Sequence, residues 1–328
     1  MRIVINGFGR IGRTVLRQVL RSAEASGIEV VQINDIAPPE TCAYLFKYDS
    51  VFGPYPGTVE TGDEILTIDG KDIRFTAEPD LSRLDLTGAD VVMECTGKAD
   101  TAEVATRGLK AGARNVLISG PSAAADITLV LGANDEKLGD HRVVSNASCT
   151  TNALAPLLRG IDDALGIETG HTTTVHCYTG SQPMVDAPRG PLERSRAGGV
   201  SMVPTTTSAT KLVGSILPQL KDKISGAAVR VPAISVSAVD VTLTLKSDVI
   251  GPFNETLQEI FAGSPVIGFT IDRVVSTDMR ARPESCVIAL PETLSIGRRQ
   301  VRVFGWYDNE WGFSARMIDM ARLMAARG

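Results

Sequence analysis

The stretch that decides the fold is Arg2-Ile3-Val4-Ile5-Asn6-Gly7-Phe8-Gly9-Arg10-Ile11-Gly12. Residues 2–5 form a short apolar run of the kind buried in a parallel strand. The Gly7-x-Gly9-x-x-Gly12 spacing follows it directly and opens a helix, Arg13 to Arg21, with Val15, Leu16, Val19 and Leu20 on its inner side. In this setting the three glycines have separate tasks. Gly7 makes the tight turn, Gly9 lets the backbone approach a pyrophosphate, and Gly12 lets helix and strand pack closely. The helix N-terminus then supplies an anion site. A second strand, Ile28 to Ile33, ends at Asn34-Asp35. Asp35 lies 23 positions after Gly12, the place of a carboxylate that binds adenosine ribose hydroxyls and repels a 2′-phosphate. The pattern predicts NAD rather than NADP.

The same grammar continues to residue 148. Alternating segments over Thr58–Ala77 contain Asp69-Gly70, a hairpin turn signal. Asp90–Cys95 reads as a buried strand ending in a Thr96-Gly97 loop, and Ala102–Ala111 as a crossover helix. Asn115–Ile118 is the next strand, ending at Ser119-Gly120. Loops at the C-terminal ends of parallel strands line a cofactor crevice. Alternating strands and helices predict a Rossmann-type doubly wound α/β domain over 1–148.

Ser145-Asn146-Ala147-Ser148-Cys149-Thr150-Thr151-Asn152 follows a strand end and precedes a run with helical spacing. With Ser148 as N-cap, Cys149 falls in the first helical turn, at the positive end of the macrodipole. A thiol there is expected to ionise below its ordinary value of about 8.5, and the first-turn N–H groups suit an oxyanion. Alternation over Glu168–Tyr178 puts Thr172, Thr174, His176 and Tyr178 on one face, and Thr173, Val175 and Cys177 on the other. His176 is thereby a candidate base and ion-pair partner for Cys149. Cys177 and Cys95 are read as core. Residues 179–204 lack periodicity, a length that is usually functional. Strands are expected over Ala227–Pro232, Ile234–Leu245, Cys286–Leu290 and Gln300–Trp306. Helices are expected through Leu217, over 253–262, and from a Ser314 cap to the end. Arg230 interrupts an apolar run, so its charge needs an anionic partner. The half from 149 to 313 is expected to be an α+β catalytic domain with a mainly antiparallel sheet, and helix 314–328 to join the first domain.

Composition narrows the functional classes. The chain has 328 residues, 43% hydrophobic and 22% charged, with net charge −5 and no Lys/Arg block that would favour nucleic acid. No apolar run approaches membrane-spanning length, and no secretory leader is expected. Five scattered cysteines without CxxC spacing predict reduced thiols, a cytoplasmic protein and no metal site.

Taken together, residues 5–13, Asn34-Asp35, Lys47-Tyr48-Asp49-Ser50, Ser145–Asn152, Thr173–His176, Arg230-Val231-Pro232 and Trp306–Glu310 resemble the phosphorylating glyceraldehyde-3-phosphate dehydrogenase family. The motifs span nearly the whole chain in the family's order. The resemblance implies Cys149 as nucleophile and His176 as base. It implies Arg230, Thr179 and Ser181 at the substrate's own phosphate, and Ser148, Thr150, Thr207 and Arg194 at the attacking inorganic phosphate. It further implies Asn309 at the nicotinamide, Arg10, Ile11, Thr96 and Ser119 as cofactor contacts beside Gly97, and a homotetramer. There are departures. Ser208 stands where the family usually has glycine, beside the attacking-phosphate site. Ala153 replaces a common second cysteine and Phe313 a frequent tyrosine, and Ala77-Glu78-Pro79 lacks an arginine common near the adenine. Ser208 motivates an alternative, a dehydrogenase of erythrose 4-phosphate or another phosphorylated aldehyde. A non-catalytic NAD-binding paralogue is the alternative from a different class.

Overall fold

The computed structural model describes residues 1–21 and 27–327. The chain forms two compact units. One comprises Met1–Leu129, Glu136–Ser148 and Phe313–Gly328; the other comprises Val130–Asp135 and Cys149–Gly312. Residues 130–135 thus cluster with the second unit.

The first unit holds one sheet of nine strands: β1 (Arg2–Asn6), β2 (Glu29–Asn34), β3 (Val59–Gly62), β4 (Ile65–Ile68), β5 (Lys71–Thr76), β6 (Val91–Glu94), β7 (Asn115–Ile118), β8 (Ile127–Thr128) and β9 (Val143–Ser145). Their order is β3-β4-β5-β2-β1-β6-β7-β9-β8. Every pairing from β5 to β8 is parallel. The β3-β4-β5 edge is an antiparallel meander. Its second turn is Asp69-Gly70, with φ of 52° and 73°. Two successive positive φ values are what a two-residue hairpin matched to strand twist requires. The apolar runs of β1, β6 and β7 are almost wholly buried, as a sheet covered on both faces demands. The order reverses at β1, with β2 on one side and β6 on the other, so the loops after β1 and β6 share a crevice at their C-terminal ends.

Two local expectations need correction here. The first helix begins inside the glycine motif and spans Arg10–Arg21. The crossover helix is two short pieces, Ala102–Ala105 and Arg107–Lys110, hinged at Thr106. The Thr106 hydroxyl bonds back to the Ala102 carbonyl at 2.7 Å, which competes with regular helix. Gly108 in the second piece lies so close to Val92 and Val116 that a Cβ would sit 2.8 Å from a valine methyl.

The second unit is built on β10 (Ile167–Cys177), β11 (Val203–Thr205), β12 (Ile224–Val231), β13 (Ser237–Leu245), β14 (Ile267–Thr270), β15 (Cys286–Ala289), β16 (Leu294–Ile296) and β17 (Gln300–Tyr307). The order is β11-β12-β10-β13-β17-β15-β14, with β16 on β17. Only β10–β12 and β14–β15 are parallel, so the sheet is mainly antiparallel. Helix Cys149–Leu165 packs against β10, β13, β15 and β17. That burial explains the alternation of β10, where Thr172, Thr174 and His176 are inside and Thr173 and Val175 half-exposed.

The final helix starts at Trp311, not after Ser314. The buried Asp308 carboxylate accepts the Glu310 and Trp311 N–H groups at 3.0 and 2.8 Å and so caps it. Ser314 is inside the helix, fully buried, and its hydroxyl has no hydrogen-bond partner among the described residues.

Candidate active site and cofactor cradle

In the first unit, Gly7 N–H donates to the Asn34 carbonyl at 2.8 Å, and Cys95 N–H to the Asn6 carbonyl at 2.7 Å. These bonds draw the ends of β1, β2 and β6 together. Gly7 has φ +92°, and a Cβ there would lie 2.7 Å from the Cys95 carbonyl carbon and the Thr96 nitrogen. A Cβ on Gly12 would be 2.3 Å from the Gly7 oxygen, whereas a Cβ on Gly9 would meet nothing within 4 Å. Gly7 and Gly12 therefore serve packing, and Gly9 faces open space that a ligand can fill. The first intrahelical bond nearby is Arg13 N–H to the Gly9 carbonyl, so the Arg10 and Ile11 amides lie ahead of it, at the positive end of the helix. The Arg10 guanidinium turns elsewhere, to Asp49 and over the Phe52 ring.

Asp35 lines a cavity at the C-terminal ends of β1, β2 and β6, together with Gly7, Gly9 and Thr96. Its Oδ2 accepts Phe8 N–H at 2.6 Å and its Oδ1 accepts Ala37 N–H at 2.8 Å, which pins the carboxylate beside the glycine loop. Of the residues predicted for the cofactor, Gly7, Gly9, Asp35 and Thr96 line the cavity; Gly97 and Ser119 lie on loops beside it. Sequence reasoning missed Asn6, Ile36, Glu78, Glu94, Lys98 and Arg107, which line it too. Glu94 is buried and accepts from the Asn6 amide and from Thr96 N–H, bracing the loop. A polar residue closing an apolar strand was the available signal. Cys95 also lines the cavity and is half-buried, not core.

In the second unit, Cys149 is the first residue of its helix, reached through Ala147 at φ +55°. Its Sγ lies 3.6 Å from His176 Nε2. The parallel register of β10 on β12 puts Arg230 directly beside His176. Arg230 Nη1 is 2.7 Å from His176 Nδ1 and donates to the Cys177 carbonyl at 3.0 Å; that carbonyl is itself 2.7 Å from Nδ1. Among the described residues no carboxylate pairs with Arg230 or Arg194. Arg194 instead donates to Thr205 Oγ1 at 2.9 Å. Two half-buried guanidinium charges thus lie beside the cysteine–histidine pair with no described carboxylate to balance them.

These cations and burial set the titration of the pair. Burial, then Arg230, pushes the His176 imidazole down to about 4, against the opposing pull of the Cys177 carbonyl. Burial pushes the Cys149 thiol up, while Arg230, the Thr150 hydroxyl and first-turn N–H groups pull it down. The thiol expected to ionise below its ordinary value is thus pushed the other way by burial, against the pull of Arg230, the Thr150 hydroxyl and the first-turn N–H groups. The sequence pattern located the dipole and the histidine but carried no measure of desolvation.

Thr150 Oγ1 and the buried Tyr307 hydroxyl are 2.8 Å apart, and the Tyr307 ring stands edge-on to His176. Tyr307 was not foreseen as a site residue. Thr179, half-buried, and Ser181, exposed, come together with their hydroxyls 2.9 Å apart. Thr207 Oγ1 accepts Ala209 N–H at 3.1 Å, opening helix Ala209–Ile216. Ser208 is exposed with φ −82°, so its backbone has no need of glycine, and its side chain caps nothing. Ser148 is half-buried immediately before Cys149. Asn309 is buried among Cys177 and Ser237.

The family described as glyceraldehyde 3-phosphate dehydrogenase, NAD binding domain, matches residues 1–102, and its C-terminal domain matches residues 148–309. The chain belongs to the glyceraldehyde 3-phosphate dehydrogenase family. A glyceraldehyde-3-phosphate dehydrogenase of Xanthobacter flavus is 44% identical, covering 100% of this chain and 99% of its own length. One of Cereibacter sphaeroides is 44% identical over 99% and 98%, and one of Geobacillus stearothermophilus 41% identical over 100% and 99%. The glycine cradle and Asp35 fall within the NAD-binding match of this dehydrogenase family. The residues present fit that dinucleotide: open space at Gly9, a helix N-terminus for the pyrophosphate, and a carboxylate for the ribose. Cys149, His176 and Arg230 fall within the C-terminal match. No described helix is long and apolar enough to cross a membrane.

Proposed function

We propose that this chain oxidises glyceraldehyde 3-phosphate with NAD and inorganic phosphate to 1,3-bisphosphoglycerate. The observation that carries the reading is Cys149 Sγ at 3.6 Å from His176 Nε2, beside Arg230 and Arg194, whose charges no described carboxylate balances. Arg230, Thr179 and Ser181 bind the substrate's phosphate. Arg194, Thr207, Ser148 and Thr150 bind the attacking phosphate, with Ser208 at its edge. Guanidinium forks and clustered hydroxyls suit such anions. Gly7, Gly9, Gly12, the Arg10 and Ile11 amides, Asp35, Thr96, Gly97 and Ser119 hold the cofactor, and Asn309 its nicotinamide end.

Cys149 Sγ attacks the aldehyde carbon. The S–C bond forms, and the thiol proton passes through His176 Nε2 to the carbonyl oxygen, which becomes the hydroxyl of a thiohemiacetal. His176 Nε2 then takes that hydroxyl proton as the carbon gives up its hydride and the carbonyl re-forms as a thioester. Bound NAD supplies the hydride acceptor. A phosphate oxygen attacks the thioester carbon, the C–S bond breaks with its electron pair going to sulfur, and the proton held on His176 Nε2 returns to Cys149 Sγ as the acyl phosphate leaves. For Nε2 to accept a proton, Nδ1 must keep its own hydrogen, which it donates to the Cys177 carbonyl. Arg230 opposes this by facing the same Nδ1 with a cation. An anionic phosphate on Arg230 offsets that charge and raises the basicity of His176 when substrate is present.

The chain works as a homotetramer in the cytoplasm. Exposed Met184 (93%), Leu192 (88%), Val200 and Met202 on the 179–204 loop support self-association, and five free thiols support a reducing compartment. The test is NADH formation from glyceraldehyde 3-phosphate with and without inorganic phosphate. Strict phosphate dependence is expected. Phosphate-independent turnover would move the assignment to a hydrolysing dehydrogenase of erythrose 4-phosphate or a similar aldehyde, the reading that Ser208 motivates.

A further inference from the structure

Cys177 lies next to His176 in sequence, is 1% exposed, and has no step in the mechanism above. Its position departs from simple alternation. It ends β10 on the half-exposed side, yet it is buried, with its thiol against Asn309. Its thiol donates to Asn309 Oδ1 at 3.2 Å. Ser237 Oγ accepts the Cys177 N–H at 3.1 Å, which leaves its hydroxyl hydrogen to reach the same Asn309 Oδ1 at 3.5 Å. Asn309 is 9% exposed, and among the described residues its Nδ2 has no partner.

From this geometry we infer that Cys177 is a positioning residue that fixes which way the Asn309 amide faces. An amide has one accepting and one donating end of nearly the same shape, so packing alone does not choose between them. Two donors converging on one end do choose. The oxygen is held inward and the N–H group is presented outward, toward an acceptor. The nicotinamide carboxamide offers a carbonyl of that kind. A donor locked in one orientation would hold the carboxamide in one rotamer and so select the ring face that receives hydride. Burial pushes the Cys177 thiol up to about 12, so it stays protonated and able to donate at physiological pH. This inference rests on the reading of Asn309 as the nicotinamide ligand.

The experiment compares Cys177→Ala, Cys177→Val, Cys177→Ser and Asn309→Ala in the full-length protein. Dissociation constants are measured for NAD and for ADP-ribose, which lacks the nicotinamide. The face of deuterium delivery from 1-deuterated glyceraldehyde 3-phosphate is read by NMR of the NADH formed. Loss of one hydrogen bond predicts NAD binding weaker by about 3- to 10-fold in the alanine and valine variants. ADP-ribose binding should be unchanged, and deuterium should appear on the second ring face. Cys177→Ser keeps a donor and should restore both readouts. If Cys177→Val matches wild type while Asn309→Ala is impaired, the Cys177 inference falls and the Asn309 reading stands. If Cys177→Ser is as impaired as Cys177→Ala, the effect is packing and the inference falls. If Asn309→Ala leaves NAD binding and face selection intact, both fall.

Discussion

Replacing Asp35 by asparagine removes one charge and keeps nearly the same shape, so it isolates the electrostatic basis of cofactor choice. The carboxylate is pinned by Phe8 and Ala37 N–H groups beside the glycine loop. A 2′-phosphate carries a charge of about −1.5 at neutral pH. Taken at about 5 Å from the carboxylate, the repulsion is about 1 kcal/mol in bulk water and about 5 kcal/mol at an effective dielectric near 20. Asp35 is half-exposed, so the lower part of that range applies, about 1–2 kcal/mol. Asp35→Asn should therefore shift the ratio of NAD to NADP dissociation constants toward NADP by about 5- to 30-fold. Glu78 also lines the cavity and should keep some discrimination in place. The assay is a direct titration of both dinucleotides at low and high salt, since screening should shrink the shift. Thermal melting controls for the N–H group left without an acceptor. An unchanged ratio at low salt would refute Asp35 as the discriminating charge.

The two glycines of the loop should separate by phenotype. Gly9→Ala should keep the fold and weaken NAD binding, whereas Gly12→Ala, with its Cβ 2.3 Å from the Gly7 oxygen, should lower the melting temperature as well. Cys149→Ser should abolish turnover while the NAD dissociation constant stays within twofold of wild type; surviving turnover would remove Cys149 from the chemistry. His176 predicts an acid limb of stability. Its folded value near 4 lies below its ordinary 6.5. Its contribution is thus fully present above pH 6.5 and is lost as pH falls toward 4, about 3 kcal/mol in all. Urea unfolding of wild type and His176→Asn across that window should show the loss only in wild type. Asp308→Ala removes the cap of the last helix and the acceptor for Ala281 N–H, and should cost about 1–3 kcal/mol. Ser314→Ala should cost nothing measurable, because its hydroxyl bonds to no described residue.

Local sequence determined whatever depends on neighbours in the chain. The β1 run and its glycines, the acid at the end of β2, the Asp69-Gly70 turn, and the alternation of β10 were readable because backbone geometry repeats every two or 3.6 residues and tight turns favour glycine, aspartate and asparagine. Tertiary structure decided what depends on residues far apart. Asp308, not Ser314, caps the last helix because it sits where the chain turns out of β17, three residues before Trp311. The crossover helix breaks at Thr106, whose hydroxyl bonds back to the Ala102 carbonyl, and Gly108 then packs closely on Val92 and Val116 of two other strands. Tyr307 joins the site through a hydrogen bond to Thr150, 157 positions away. The parallel register of β12 on β10 sets Arg230 against His176, and burial then pushes the Cys149 thiol up and the His176 imidazole down. Desolvation and cross-strand register are properties of the packed molecule. The linear pattern could name Cys149, His176 and Arg230, but the charge each carries follows only from what surrounds it.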